Sequence, residues 1–201
     1  MSENGLTRML LNGYNTSSVA LSWVLFLLAK HPTFLARVHD EIGDLQAGSL
    51  TLDTVRKLPF TRSVVLETLR LYPPAWILGR RALRRDQLGS AQISEGTILS
   101  VSPATIQRLT SCWSEPTKFA PDRFFSGTNE IQRFSFFPFG SGNRRCPAAS
   151  WAVSHLVLLV VALVSRSNLE LAQGTVRPRG LVTLRVAPQL NLRFRQRNRA
   201  V

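Results

Sequence analysis

Long apolar runs, broken by proline and glycine, set the outline of this chain. Residues from about Leu6 to Ala29 read as one long helix rich in leucine, valine and aromatics. It stops at His31-Pro32, because proline cannot continue a helix but suits the first turn of the next one. That next helix keeps Leu35, Val38 and Ile42 on one face and ends at Gly43. A third helix runs from about Phe60 to Leu71 and is closed by Tyr72-Pro73-Pro74. The texture then changes. Short apolar runs at residues 77–82, 91–93 and 97–101, punctuated by Gly89 and Glu95-Gly96, predict small strands and turns. Residues 111–145 carry many prolines and phenylalanines and little regular period; a loop of that length inside a compact domain is usually functional. Another apolar helix is predicted over residues 147–165. The chain closes with apolar runs at 181–186 and 190–195. In the second, Leu190, Leu192 and Phe194 alternate with polar or charged residues, as in a half-buried strand. The expected fold class is mainly α with small β-sheets, an α+β chain without internal repeats.

Composition narrows the function. The chain has 201 residues, 44% of them hydrophobic, enough to bury one sizeable core. Its two cysteines make no disulfide framework, so a reduced, cytoplasmic setting is expected. The start, Met1-Ser2-Glu3-Asn4-Gly5, has no basic stretch followed by an apolar run, and no secretory signal is visible. Residues 19–29 and 151–164 are apolar, but each falls short of the ~20 residues a bilayer core requires. Ser22 interrupts the first, and Ser154 and His155 the second, so both are predicted as buried core helices and no membrane segment is expected. The net charge is +13, and residues 177–199 hold seven arginines and no acid. A nucleic-acid-binding protein is therefore an open alternative. No reading module or aromatic platform accompanies the charge, so no nucleic-acid partner is expected.

The sharpest chemistry lies in Phe137-Pro138-Phe139-Gly140-Ser141-Gly142-Asn143-Arg144-Arg145-Cys146-Pro147-Ala148, just ahead of an apolar helix. Pro147 is expected at the first helical position, where its missing N–H costs nothing. The helix dipole and free backbone N–H groups would then favour a thiolate at Cys146. Gly140 and Gly142 let the backbone turn tightly around the sulfur. Arg144 brings a cation two residues from it, suited to a carboxylate or to the thiolate itself. Phe139 supplies an apolar face that would keep water out.

This loop resembles the Phe-x-x-Gly-x-Arg-x-Cys-x-Gly loop of the cytochrome P450 family of heme-thiolate monooxygenases. Phe139, Gly142, Arg144 and Cys146 match in register, and Ala148 replaces the final glycine. Three further segments fit the family in order. Glu67-Thr68-Leu69-Arg70 is similar to its Glu-x-x-Arg helix, and Pro121-Asp122-Arg123-Phe124 to its later arginine segment, preceded by Trp113, Pro116 and Phe119. The resemblance implies that Glu67, Arg70 and Arg123 form a structural network, not a catalytic one. Asn12-Gly13-Tyr14-Asn15-Thr16-Ser17 resembles the oxygen-binding helix motif Ala/Gly-Gly-x-Asp/Glu-Thr, with Gly13 and Thr16 matching and Asn15 in place of the acid. Asn15 cannot titrate. Arg80 fits an Arg-x-Ala whose arginine reaches a heme propionate, with Arg81 as a rival, and Gln107 stands where members often carry a histidine near the propionates.

The resemblance implies the C-terminal half of the cytochrome P450 fold, one heme-binding portion spanning residues 1–201 with the N-terminal half absent. It implies heme b as cofactor, with Cys146 as the axial ligand of the iron. Gly13 would open a groove beside the iron, and Thr16 would relay protons to dioxygen. The activity implied is insertion of one oxygen atom into a small organic substrate. Electrons would come from a separate ferredoxin, flavodoxin or reductase, for which a basic face around Arg144 and Arg145 is suited. The alternative is a non-catalytic remnant or heme-binding fragment of such an enzyme.

Overall fold

A computed structural model describes residues 3–43, 50–125, 134–172 and 176–197. Helix α1 (Glu3–Lys30) is the longest element. Its second half is the hydrophobic centre of the molecule, with Trp23, Val24 and Leu28 fully buried, while Leu10, Leu11 and Tyr14 on its first half are exposed. Helix α2 (Pro32–Ile42) starts with proline in its first turn and stops at Gly43, whose φ of 51° suits a residue without a β-carbon. Leu35, Val38, His39 and Ile42 form its buried stripe. Helix α3 (Leu52–Arg56) is capped reciprocally by Thr51 and Thr54. Helix α4 (Pro59–Leu71) is buried at every position from Phe60 to Leu71 except Arg62. A helix buried all round must place its polar residues against partners, and Glu67, Thr68 and Arg70 do so.

Beyond α4 the chain forms small antiparallel pairs. Strand β1 (Leu78–Arg81) is followed by the tight hairpin of β2 (Asp86–Leu88) and β3 (Ala91–Ile93), and then by β4 (Ile98–Val101). β4 returns to pair with β1, Leu78 opposite Val101 and Arg81 opposite Ile98. Two short helices, α5 (Pro103–Ile106) and α6 (Asp122–Phe125), lead to the cysteine loop and to α7 (Ala149–Val164). The last part holds β5 (Ser167–Leu171), β6 (Arg177–Gly180), β7 (Leu184–Ala187) and β8 (Leu192–Gln196). β5 pairs with β8 and β6 with β7.

The core lies where α1, α4 and α7 meet. Trp23, Val24 and Leu28 join Val64, Val65 and Leu69, and Val157, Val160, Val161 and Val164, all at most 2% exposed. Each such side chain contributes about 2 kcal/mol on burial. Stacked rings extend the core: Tyr72 lies flat on Trp23 at 3.8 Å, and Trp23 Nε1 donates to the Leu184 carbonyl at 2.7 Å. The loop after α4 is thereby fixed to α1, and α1 to β7.

The mixed helix and small-sheet class stands as expected from the pattern. Several details differ. Helix α7 begins at Ala149, so Pro147 sits ahead of the helix rather than in its first turn. Phe194 is 48% exposed; among the described residues β8 pairs with β5 alone. Strands β2, β5 and β6 and helices α3 and α5 were not legible in the apolar pattern. Each is only three to five residues long, too short for a hydrophobic period to show in its sequence. Among the described residues no single helix is both long and apolar enough to cross a membrane; Leu10–Lys30 of α1 and Pro32–Ile42 meet both conditions only together, as a pair bent by 107°.

Candidate functional site

The cysteine loop is built by two glycines. Gly140 and Gly142 have φ values of 73° and 67°, a region that side chains rarely adopt, and the short 3-10 turn Gly142–Arg144 follows. The Cys146 N–H donates to the Phe139 carbonyl at 2.9 Å and closes the loop. Phe139 is half-buried and packs on the main core. Cys146 itself is a free, half-buried thiol. Arg144 is exposed.

The first turns of α1 carry a polar notch. A β-carbon added at Gly13 would meet no atom within 4 Å, so the space beside this helix is open among the described residues. Thr16 is half-buried, and its hydroxyl donates to the Asn12 carbonyl one turn back at 2.6 Å. The Asn15 side-chain oxygen accepts from Arg185 Nη2 on β7 at 3.1 Å. Arginine has only donors, so the oxygen of this amide must face it and the NH2 group faces away.

The structure brings Glu67, Arg70 and Arg123 together. Glu67 and Arg70 are fully buried. Arg70 uses all five of its N–H donors: Nε and Nη2 hold the two Glu67 oxygens at 2.7 and 2.8 Å, and the remaining three reach the carbonyls of Gln107, Pro116 and Lys118. Its guanidinium lies 4.9 Å from the Trp113 ring. Glu67 also accepts the Ala120 N–H at 3.0 Å. Arg123 Nε faces Glu67 at 3.5 Å as an ion pair without a hydrogen bond, while its Nη2 donates to the Glu115 carbonyl. One buried carboxylate and one buried guanidinium thus pin the segment 107–120 onto α4.

Arg80 and Arg81 are both exposed on β1. Arg80 bonds the carbonyl of its neighbour Gly79, and Arg81 lines a cleft of about 320 Å³ between the β1–β4 and β2–β3 pairs. Gln107 is not near an open face. It is fully buried, and its amide is engaged with backbone on both sides.

Glu41 was missed in the sequence; Gln107 was named there by its position, but its buried contacts left no signal, since a lone glutamine in a polar stretch reads as surface. Glu41 could have been inferred: helix α4 opens at Leu58-Pro59 with no capping side chain of its own, so its free N–H groups need an acceptor from elsewhere. Glu41 on α2 supplies it, accepting from the Phe60 and Thr61 N–H groups and the Thr61 hydroxyl at 2.5 to 2.7 Å.

A family model described as Cytochrome P450 matches residues 4–191. The chain belongs to the cytochrome P450 family. Cyclooctatin synthase of Streptomyces melanosporofaciens is 31% identical over 183 residues, covering 90% of this chain and 40% of that protein. Pentalenene oxygenase of Streptomyces avermitilis is 31% identical over 188 residues, with 92% and 42% covered. Sterol 14alpha-demethylase of Mycolicibacterium vanbaalenii is 31% identical over 194 residues, with 93% and 43% covered. The chain thus spans about two fifths of the length of these curated relatives. As a P450 chain, it carries the matched notch on α1, the Glu67–Arg70 pair on α4, Arg123 on α6 and the cysteine loop just ahead of α7.

The donor set can be tested against the family's heme. Among the described residues no three His, Cys, Asp or Glu side chains converge to hold a metal ion. A lone cysteine sulfur suits a metal that brings its other ligands, as in a porphyrin. The open space at Gly13 and the exposed guanidinium groups of Arg80 and Arg144 are compatible with a flat group bearing carboxylates.

Proposed function

We propose that this chain is the heme-binding C-terminal portion of a heme-thiolate monooxygenase, with Cys146 as the axial ligand of the iron. The observation that carries the reading is the cysteine loop: a free Cys146 at the end of a turn whose two glycines are in left-handed conformation, in a chain that belongs to the P450 family. When bound, heme supplies reductive activation of dioxygen and transfer of one oxygen atom to an organic substrate. Cys146 donates its thiolate, and the loop from Phe137 to Cys146 orients it. Phe139 excludes water. Arg144 and Arg80, with Arg81 as the rival to Arg80, take the carboxylates of the cofactor. Gly13 leaves room beside α1. Thr16 holds a proton at its hydroxyl; in the present geometry that proton points to the Asn12 carbonyl, so relaying it requires the hydroxyl to rotate. Asn15 is fixed by Arg185 as a donor and has no proton to exchange near neutral pH. Electrons come from a separate ferredoxin, flavodoxin or reductase docking near Arg144 and Arg145, and the compartment is the reducing cytoplasm.

The test is the spectrum of the heme-reconstituted chain, reduced and bound to carbon monoxide. A Soret band strongly red-shifted relative to an imidazole-ligated heme is expected, and it should vanish in Cys146→Ala. Persistence of that band in Cys146→Ala would remove the ligand assignment. A second reading, heme binding without turnover, is favoured by Asn15 in place of an acid. It predicts the red-shifted band but no product when reductant and an electron-transfer partner are supplied.

A further inference from the structure

Gln107 stands where family members often carry a histidine, and its amide has a partner set of its own. It is fully buried at the end of α5, and every group of its amide is paired. Nε2 donates to the carbonyls of Leu69 and Arg70 at 3.1 and 2.9 Å, on the last turn of α4. Oε1 accepts the Phe137 N–H at 2.9 Å, at the start of the cysteine loop. Carbonyls only accept and an N–H only donates, so these contacts fix the amide orientation without ambiguity. The Gln107 main-chain carbonyl takes a further bond from Arg70 Nη1 at 2.8 Å.

The loop has few other fixed points. Among the described residues its main-chain bonds are internal ones: Gly140 N–H to Phe137, Arg145 N–H to Gly142, and Cys146 N–H to Phe139. These bonds shape the loop but do not attach it to the core. At its start it is attached by the side-chain packing of Phe136 and Phe139, by the bond from Trp113 Nε1 to the Ser135 carbonyl at 3.2 Å, and, nearest the cysteine, by the bond from the Phe137 N–H to Gln107. The helix C-terminus offers carbonyls with no partner inside the helix. A glutamine is suited to the place, since it bridges two such carbonyls to one N–H. A leucine there would leave all three buried groups unpaired, and a glutamate would set a negative charge against two carbonyls.

We propose that Gln107 is a positioning residue for Cys146: it anchors the cysteine loop to the end of α4 and so couples the buried Glu67–Arg70 pair to the placement of the thiolate. The proposal rests on the reading of Cys146 as heme ligand for its functional meaning, but not for its structural test.

The test compares Gln107→Met, which keeps the length and removes the polar groups, with Val64→Ala, a core-cavity change in α4 away from the loop. Amide hydrogen exchange is followed residue by residue in the heme-free full chain. In Gln107→Met the amides of Phe137, Gly140 and Cys146 should exchange about tenfold faster, equivalent to ~1.4 kcal/mol of local opening. The amides of Val24 and Val157 should accelerate no more than they do in Val64→Ala at matched global stability. If loop and core accelerate together in Gln107→Met, as they do in the cavity variant, the anchor does not exist. Should Gln107→Met fail to fold, Gln107→Asn, whose amide is one methylene short of its partners, carries the same comparison. In the heme-reconstituted chains, the thiolate-type fraction of the reduced carbon monoxide spectrum should fall in Gln107→Met and stay unchanged in Val64→Ala; equal loss in both overturns the coupling to Cys146. A Cys146→Ala chain that retains the red-shifted band would remove the ligand reading, while the exchange result would still decide the anchor.

Discussion

Glu67 and Arg70 show how one pair of residues is fixed by its surroundings. Both are fully buried, and every donor of Arg70 is used. Breaking such a pair leaves an uncompensated buried charge, which costs about 3–5 kcal/mol. Arg70→Lys retains the charge but has three donors for five acceptors, so a loss of about 3 kcal/mol is expected from urea unfolding. His39 gives a pH dependence. Its Nε2 faces the carbonyls of Val164 and Ser167 at 3.0 and 3.2 Å, and since both only accept, that nitrogen carries the proton of the neutral ring. Burial first, and then the charge of Arg197, hold its pKa below the ordinary 6.5, against the hydrogen bonds and Asp40, which act the other way. In the unfolded chain the ring titrates at about 6.5. As pH falls through that value the unfolded state takes a proton that the folded state resists, so stability decreases toward acid and is flat above neutrality. His31, lowered by burial and by Lys30, acts in the same direction. The denaturation midpoint should therefore fall between pH 7.5 and 5.5, and fall less in His39→Gln; equal slopes in the two proteins would remove His39 as a source.

At the scale of elements, helix ends are completed from outside. Helix α4 starts with Pro59 and no side-chain cap, and the carboxylate of Glu41 on α2 accepts two of its N–H groups. This bond joins two helices and matches the positive end of the α4 dipole. Glu41→Ala should lower stability by about 1–2 kcal/mol, as the loss of a good helix cap does. Glu41→Gln, which still accepts, should lose less, and thermal unfolding of the two variants measures the difference. A second joint lies at the β6–β7 turn. A β-carbon at Gly180 would stand 2.8 Å from the Trp76 ring, whose Nε1 donates to the Leu181 carbonyl. Gly180→Ala should displace Trp76, read as a shift in tryptophan fluorescence below the unfolding transition, with the α1–α4–α7 core intact.

At the scale of the molecule, the core and the exposed surface divide α1 in two. Trp23 to Leu28 are buried among α4 and α7, but Leu10, Leu11 and Tyr14 are 64%, 63% and 78% exposed. Contiguous apolar side chains on a helix are docking or self-association surfaces. The isolated chain should associate with rising concentration, and Leu10→Gln with Leu11→Gln should reduce that association in sedimentation experiments. The unfolding midpoint at low concentration should not change, because neither residue contributes to the core.

The local pattern in the sequence was sufficient to place the four long helices, the class of the fold and the cysteine loop. Helix periodicity, proline and glycine act within a few residues, and burial of α1, α4 and α7 is written as long apolar runs. The four aligned motifs also singled out Glu67, Arg70, Arg123 and Cys146 as residues to follow. Tertiary structure decided what these residues meet. A proline next to a helix does not fix whether it lies inside the first turn, and Pro147 lies two positions ahead of the first helical residue, Ala149. The alternation in β8 promised burial at Phe194, but only a second layer could have covered it, and among the described residues β8 pairs with β5 alone. Gln107, Glu41, His39 and Arg185 carry no periodic signal. Each is a single polar residue whose partner lies between 19 and 170 positions away, at Phe60, Leu69, Val164 or Asn15. Contacts between residues so far apart depend on the packed arrangement of the helices, which no local pattern of apolar and polar positions records.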